Sequence, residues 1–108
     1  MPREKFKTLT EQMFYTLLCL REERCGIDIL EEVRQLTGGR VNIGSGTLYD
    51  LLDQFGQEGM IQETKAEGRR RSYIITEKGQ QMLVKEYRRL RAQVQDFQNL
   101  CPEKEELP

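Results

Sequence analysis

Gly44-Ser45-Gly46-Thr47-Leu48-Tyr49-Asp50-Leu51-Leu52, continued by Glu58-Gly59-Met60-Ile61 and by Gly68-Arg69-Arg70-Arg71-Ser72-Tyr73-Ile74-Ile75-Thr76, is the stretch that decides the fold. Leu48, Leu51, Leu52 and Phe55 recur at helical spacing, with Gly44 or Ser45 at the cap position and Gly59 as the stop. Residues 61–65 and 71–75 read as strands around a turn at 66–70, where Gly68 can take positive φ. Thr76 caps the next helix, and Glu77 suits the positive end of its dipole. A short probe helix thus stands beside a ribbon with a cationic tip. Such a pair fits a duplex groove and its flanking phosphates.

Upstream, residues 1–7 carry Arg3, Lys5 and Lys7 and read as a basic arm. Thr8 and Glu11 have capping-box spacing, which predicts a helix from Leu9. Leu9, Met13, Leu17 and Leu20 form its stripe, widened by Phe14 and Leu18. Residues 21–26 read as a polar break. Ile27, Leu30, Val33 and Leu36 then predict a second helix, stopped at Gly38-Gly39. Residues 37–46 read as a connection with a brief extended segment around Val41 and Ile43.

Downstream, Leu83, Tyr87, Leu90, Val94, Phe97 and Cys101 are spaced four, three, four, three, four, which is a heptad seam. A helix that long reaches about 36 Å at 1.5 Å per residue, beyond what a core this small needs. The seam therefore reads as a dimer arm, with folding back onto the first helix as the alternative along part of its length. The expected organisation is a domain over residues 1–76, a dimerisation helix over 77–101 and an acidic tail over 102–108. The fold class is mostly α with a small β ribbon, a winged helix-turn-helix plus a C-terminal dimerisation helix.

Composition narrows the function. A chain of 108 residues with 37% hydrophobic and 32% charged content is one soluble domain with a thin core, which a second copy would help to bury. No apolar run is long enough for a bilayer, and no signal peptide follows the charged N-terminus, so a cytoplasmic location without membrane contact is expected. The absence of histidine excludes serine–histidine triads, cysteine–histidine dyads and histidine metal sites. Cys19, Cys25 and Cys101 lack ligand spacing and read as reduced thiols. The loop from Gly39 to Thr47 has phosphate-loop glycines but not the lysine that motif requires. No cofactor, metal or catalytic group is therefore expected, and the chain does not read as an enzyme.

The formal net charge of −1 conceals segregation. Lys65, Arg69, Arg70 and Arg71 stand against Glu67 alone, whereas Glu22, Glu23, Asp28, Glu31 and Glu32 stand against Arg24 alone. Local field governs nucleic-acid binding more than the total does. The candidate DNA-contacting residues are Ser45, Gly46, Thr47 and Tyr49 on the reader helix, Lys65, Arg69, Arg70, Arg71 and Tyr73 on the ribbon, and Lys5 on the arm.

Gly46-Thr47-Leu48-Tyr49, Glu58-Gly59-Met60-Ile61, the arginine run to Tyr73 and Ile75-Thr76-Glu77-Lys78-Gly79 follow one another in an order that resembles the PadR family of bacterial transcriptional regulators, over roughly residues 9 to 90. Gly26-Ile27 with Leu30 fits that family's glycine-led second helix. The resemblance implies a winged-helix homodimer of the compact subfamily that represses through a palindromic operator. It also implies a planar hydrophobic or phenolic effector at the dimer interface, for which Tyr87 and Phe97 are the aromatic candidates. The chain departs from the pattern in lacking tryptophan and in having no Lys or Arg from Val41 to Thr64, while Asp50 and Asp53 lie on the reader helix. The rival reading is a protein-interaction adaptor on a winged-helix scaffold with weak or lost DNA binding.

Overall fold

The computed structural model describes residues 6–101, in the order α1 (Glu11–Cys19), β1 (Arg24–Cys25), α2 (Gly26–Leu36), α3 (Ser45–Gln57), β2 (Ile61–Glu67), β3 (Arg70–Ile75) and α4 (Glu77–Leu100). The basic arm with Lys5 and the acidic tail lie outside the described residues.

The start of α1 differs from the expectation by two residues. Thr10, not Thr8, is the N-cap: its hydroxyl accepts from Met13 N–H, and the Met13 sulfur accepts from Thr10 N–H. Leu9 lies before the helix and is buried. The stripe is also shifted. Leu17 and Leu20 are buried as expected, but Thr16 and Cys19 join them, and Met13 and Phe14 are half-buried. Thr16 is accommodated because its hydroxyl donates to Gln12 C=O at 2.8 Å.

α2 turns the middle of its predicted stripe inward: Val33 is buried and Leu30 half-buried, joined by Ile29. Ile27 and Leu36, at the ends of the stripe, are 63% and 56% exposed. Residues spaced only three apart drift around a helix, so the outer two fall at the margins of the buried face. The polar break contains β1, which pairs with β3 in the register Arg24↔Tyr73 and Cys25↔Ser72. Residues 37–46 form no strand; Val41 and Ile43 simply point into the core.

α2 and α3 end in the same device. Gly38 and Gly39 take φ of 59° and 81°, and Gly59 takes 71°. At α2, Gly39 N–H donates to Arg34 C=O and Gly38 N–H to Gln35 C=O; at α3, Met60 N–H donates to Phe55 C=O and Gly59 N–H to Gly56 C=O. Each is a Schellman closure, which satisfies two of the carbonyls a helix end leaves open.

The sheet is antiparallel with strand order β1-β3-β2. β2 and β3 run two residues and one residue further toward the tip than expected, so the turn is only Gly68-Arg69. A positive φ of 61° at Gly68 alone is what a type II′ hairpin turn requires of its first central residue. A bulge at Thr64, between Glu63 and Lys65, interrupts the ladder and adds twist. Only the base of the ribbon touches the core, through Ile61, Tyr73 and Ile75.

α4 is joined to the body at its first turns. Thr76 Oγ accepts from Gly79 N–H and donates to Gly59 C=O at 2.6 Å. Thr76 N–H donates to Met60 C=O at 2.9 Å, and Lys78 Nζ donates to Glu58 C=O at 2.6 Å. A Cβ on Gly79 would stand 2.1 Å from Met60 O, so only glycine permits this approach. Met82 and Leu83 enter the core, and no described residue after Glu86 is buried. Glu86 is buried against the start of α1, where it accepts from Leu9 N–H and pairs with Arg89. The bond to Arg89, aided by Leu9 N–H, holds the Glu86 carboxyl below its ordinary value, against the opposing effect of burial.

Gly79→Ala is expected to lower stability by about 1–3 kcal/mol through overpacking. Gly56→Ala, with open space around its Cβ, is expected to raise it by up to about 1 kcal/mol; urea titration measures both. Because folding lowers the Glu86 pKa, its contribution is complete above the unfolded value near 4.5 and is lost as pH falls through the folded value. Glu86→Gln should therefore melt lower than wild type at neutral pH, and the difference should shrink below about pH 4.5, as thermal unfolding at stepped pH would record.

Candidate nucleic-acid interface

The inner face of α3 buries Leu48, Leu51, Leu52 and Phe55, as their spacing predicts. That burial leaves Ser45, Gly46, Thr47, Tyr49, Asp50 and Asp53 exposed on the outer face. The cap residue is Gly44, which offers no side-chain acceptor, so no side chain among the described residues caps the first-turn amides. Free amides at a helix N-terminus suit a phosphate oxygen.

An open groove separates α3 from the ribbon. Tyr49 and Asp53 line one side, Arg69, Arg70, Arg71 and Tyr73 the other, and Gly26 and Ile27 its end. The structure thus brings Tyr49 together with four of the predicted ribbon residues. Lys65 does not line this groove; it lines an adjoining one with Glu23, Asp28, Arg70 and Ser72. Burial pushes the Tyr73 phenol above its ordinary value of 10; Glu63 adds to this, and Arg71 opposes it.

Sequence reading missed what restrains the cations. Arg70 Nε donates to Cys25 Sγ at 3.4 Å, and the Arg70 guanidinium stands 3.9 Å from Asp28. The Cys25 thiol donates to Asp28 at 3.1 Å, which closes the group. Bonding to Cys25, together with the charge of Asp28, keeps Arg70 more firmly protonated than usual. Lys65 faces Glu23 at 3.8 Å and Arg71 faces Glu63 at 3.5 Å. Part of the segregated charge is therefore paired: Glu23 and Asp28, on either side of the β1–α2 junction, face Lys65 and Arg70, while Arg71 pairs within the ribbon. Arg69, at the tip, has no ion pair among the described residues.

Tyr49 is half-exposed on α3, and its ring rests over Gly26, where a built Cβ would stand 2.9 Å from the phenolic oxygen. Asp53 faces the ribbon across the groove rather than pointing away from it. Cys19 takes no part in this surface; burial pushes its thiol up to about 11. On α4, Leu83 is buried in the core, whereas Tyr87, Leu90, Val94 and Phe97 are exposed along one stripe with Leu100. The seam predicted from sequence is thus split between the core and the surface.

The model of the transcriptional regulator PadR-like family matches residues 16–85. This chain belongs to the PadR-like family of transcriptional regulators. That membership bears out the reading of the chain as a regulator and not an enzyme. Among solved PadR structures, the PadR family regulator of Eggerthella lenta is 19% identical, with a TM-score of 0.73 over 85% of this chain and 82% of that one. Bacillus subtilis PadR in complex with operator DNA is 24% identical, with a TM-score of 0.61 over 69% of this chain and 45% of that one. The transcriptional activator GvpE of Haloferax mediterranei is 28% identical over 67 residues, 62% of this chain. The match covers 33% of GvpE, so this chain spans about a third of that relative. The family resemblance, bacterial by expectation, thus extends to archaeal regulators. No helix among the described residues is long and apolar enough to cross a membrane.

Proposed function

We propose that this chain is a DNA-binding transcriptional regulator that acts in the cytoplasm as a homodimer on a palindromic operator. The observation that carries the reading is the shared groove: Tyr49 of the reader helix and Arg69, Arg70 and Arg71 of the ribbon line one concave face. In this reading, Ser45, Gly46, Thr47 and Tyr49 enter the major groove. The arginines and Tyr73 follow the adjacent backbone, while Lys65 and Lys5 add outlying positive charge. That Bacillus subtilis PadR was solved in complex with operator DNA supports DNA as the partner.

Dimerisation is supported by the part of α4 that leaves the body. Tyr87, Leu90, Val94 and Phe97 present an apolar stripe at heptad spacing that stays largely exposed, with Leu90 at its border with α1. Two reader helices would then address half-sites about 34 Å apart. A repressor is the simplest regulator built this way, since a bound dimer covers the promoter it occupies. A planar hydrophobic or phenolic effector would stack against Tyr87 and Phe97 and retune the spacing of the two readers.

A gel-shift titration against the DNA upstream of the chain's own gene tests the reading. Retardation at low salt is expected. A folded dimer that retards nothing would instead favour an interaction adaptor. Replacing Arg69, Arg70 and Arg71 with alanine should weaken binding to operator and random DNA alike, flatten the salt dependence and leave the melting temperature nearly unchanged. Thr47→Ala or Tyr49→Ala should instead change sequence preference, by about 1–3 kcal/mol for each lost base contact. Leu90→Glu places a charge within the proposed seam and should give monomers in sedimentation, with operator affinity falling in step.

A further inference from the structure

We infer that Gly26, the first residue of α2, is a positioning residue for the reader tyrosine: its missing side chain is the seat on which the Tyr49 ring rests. The inference builds on the assignment of α3 as the DNA reader. A Cβ added at Gly26 would lie 2.9 Å from Tyr49 Oη, 3.1 Å from Cε1 and 3.2 Å from Cζ. Carbon atoms in good contact stand about 3.5–4.0 Å apart, so the ring already occupies the methyl's space.

Backbone conformation does not call for glycine here. The glycines with positive φ are Gly38, Gly39, Gly59 and Gly68, and Gly26 is not among them. It stands inside a helix, where alanine is the better residue. What glycine supplies at this position is room for an aromatic ring from another helix. Gly79 is the useful contrast. There the obstructing atom is backbone, and a methyl must distort the fold. At Gly26 the obstruction is the far end of a side chain that is 51% exposed. A methyl can push that ring aside and leave both helices where they are.

The contact therefore separates reading from folding. With Gly26 in place, the ring lies against α2 and its hydroxyl is held at the end of the groove that Asp53 and Arg70 also line. A side chain held in this way loses less freedom on binding than one that must be ordered by the DNA. With alanine, the hydroxyl is displaced from its place beside the base edges, while Arg69, Arg70 and Arg71 keep theirs. Discrimination among sequences should suffer, and attraction to phosphate should not.

Fluorescence anisotropy with labelled operator and random duplexes tests this across wild type, Gly26→Ala, Tyr49→Ala and the double variant. Gly26→Ala is expected to lose about tenfold of the operator preference, the scale of one base contact. Its salt dependence should match wild type. In the Tyr49→Ala background, the same glycine substitution should change nothing. Full operator preference in Gly26→Ala, or an undiminished effect when Tyr49 is already alanine, would overturn the inference. A lowered melting temperature in Gly26→Ala counts for it if Tyr49→Ala restores stability, and against it otherwise. The Tyr49→Ala single variant in the same assay separates the two levels. If it loses operator preference while Gly26→Ala keeps it, the reader assignment stands and only the role of Gly26 falls. If all proteins bind alike, both fall.

Discussion

The junction between the end of α3 and the start of α4 is the constraint on which the rest of the structure depends. A helix C-terminus exposes carbonyls and a helix N-terminus exposes donors. Here each supplies what the other lacks. Glu58, Gly59 and Met60 offer three carbonyls, and Lys78 Nζ, Thr76 Oγ and Thr76 N–H take them. Gly79 lets the two backbones approach closely enough for this. Two motifs that lie almost twenty residues apart in sequence are thereby one structural unit. Because β2 leaves from one side of the junction and β3 arrives at the other, it sets the angle between the reader helix, the ribbon and α4 together.

A second constraint is electrostatic. The ribbon carries its cations on strands that lie against the acidic beginning of α2, and Glu23, Asp28 and Glu63 each face one of them. These pairs are solvent-exposed, and each is worth little on its own. Their larger effect is on the field: they mute the inner cations and leave Arg69 at the tip as the one whose charge is least compensated by the described residues. A DNA backbone would therefore meet the tip first and compete with carboxylates for Arg70 and Arg71 afterwards. A reader helix without a cation of its own makes that competition more consequential.

Much of this was legible in the sequence because the decisive signals are local. The glycine stops at Gly38-Gly39 and Gly59, the Thr76 cap and the apolar spacing of α3 each depend on a few neighbouring residues. What was not legible depends on pairing across the chain. β1 is two residues long, and nothing in Arg24-Cys25 announces a strand until β3 lies beside it. Ile27 and Leu36 lie on opposite margins of α2's buried face, so a spacing of three carries both out of the core. The first cap moved from Thr8 to Thr10 because a methionine sulfur stands in for the usual acidic partner. At the candidate interface the residue types were visible, whereas the seat of Tyr49 on Gly26 and the Arg70–Cys25–Asp28 group were not. The one available hint was the opposition of an acidic run and a basic run of comparable net charge.

The functional proposal reduces to a geometric one: two copies, clasped along the exposed stripe of α4, present their α3 helices to the same face of a duplex. Hydroxyl-radical footprinting of the DNA upstream of the chain's own gene measures this directly. The account predicts two protected patches about one helical turn apart, roughly 10 base pairs from centre to centre, or a whole multiple of that. A single patch, or uniform cleavage in the presence of folded protein, would contradict it.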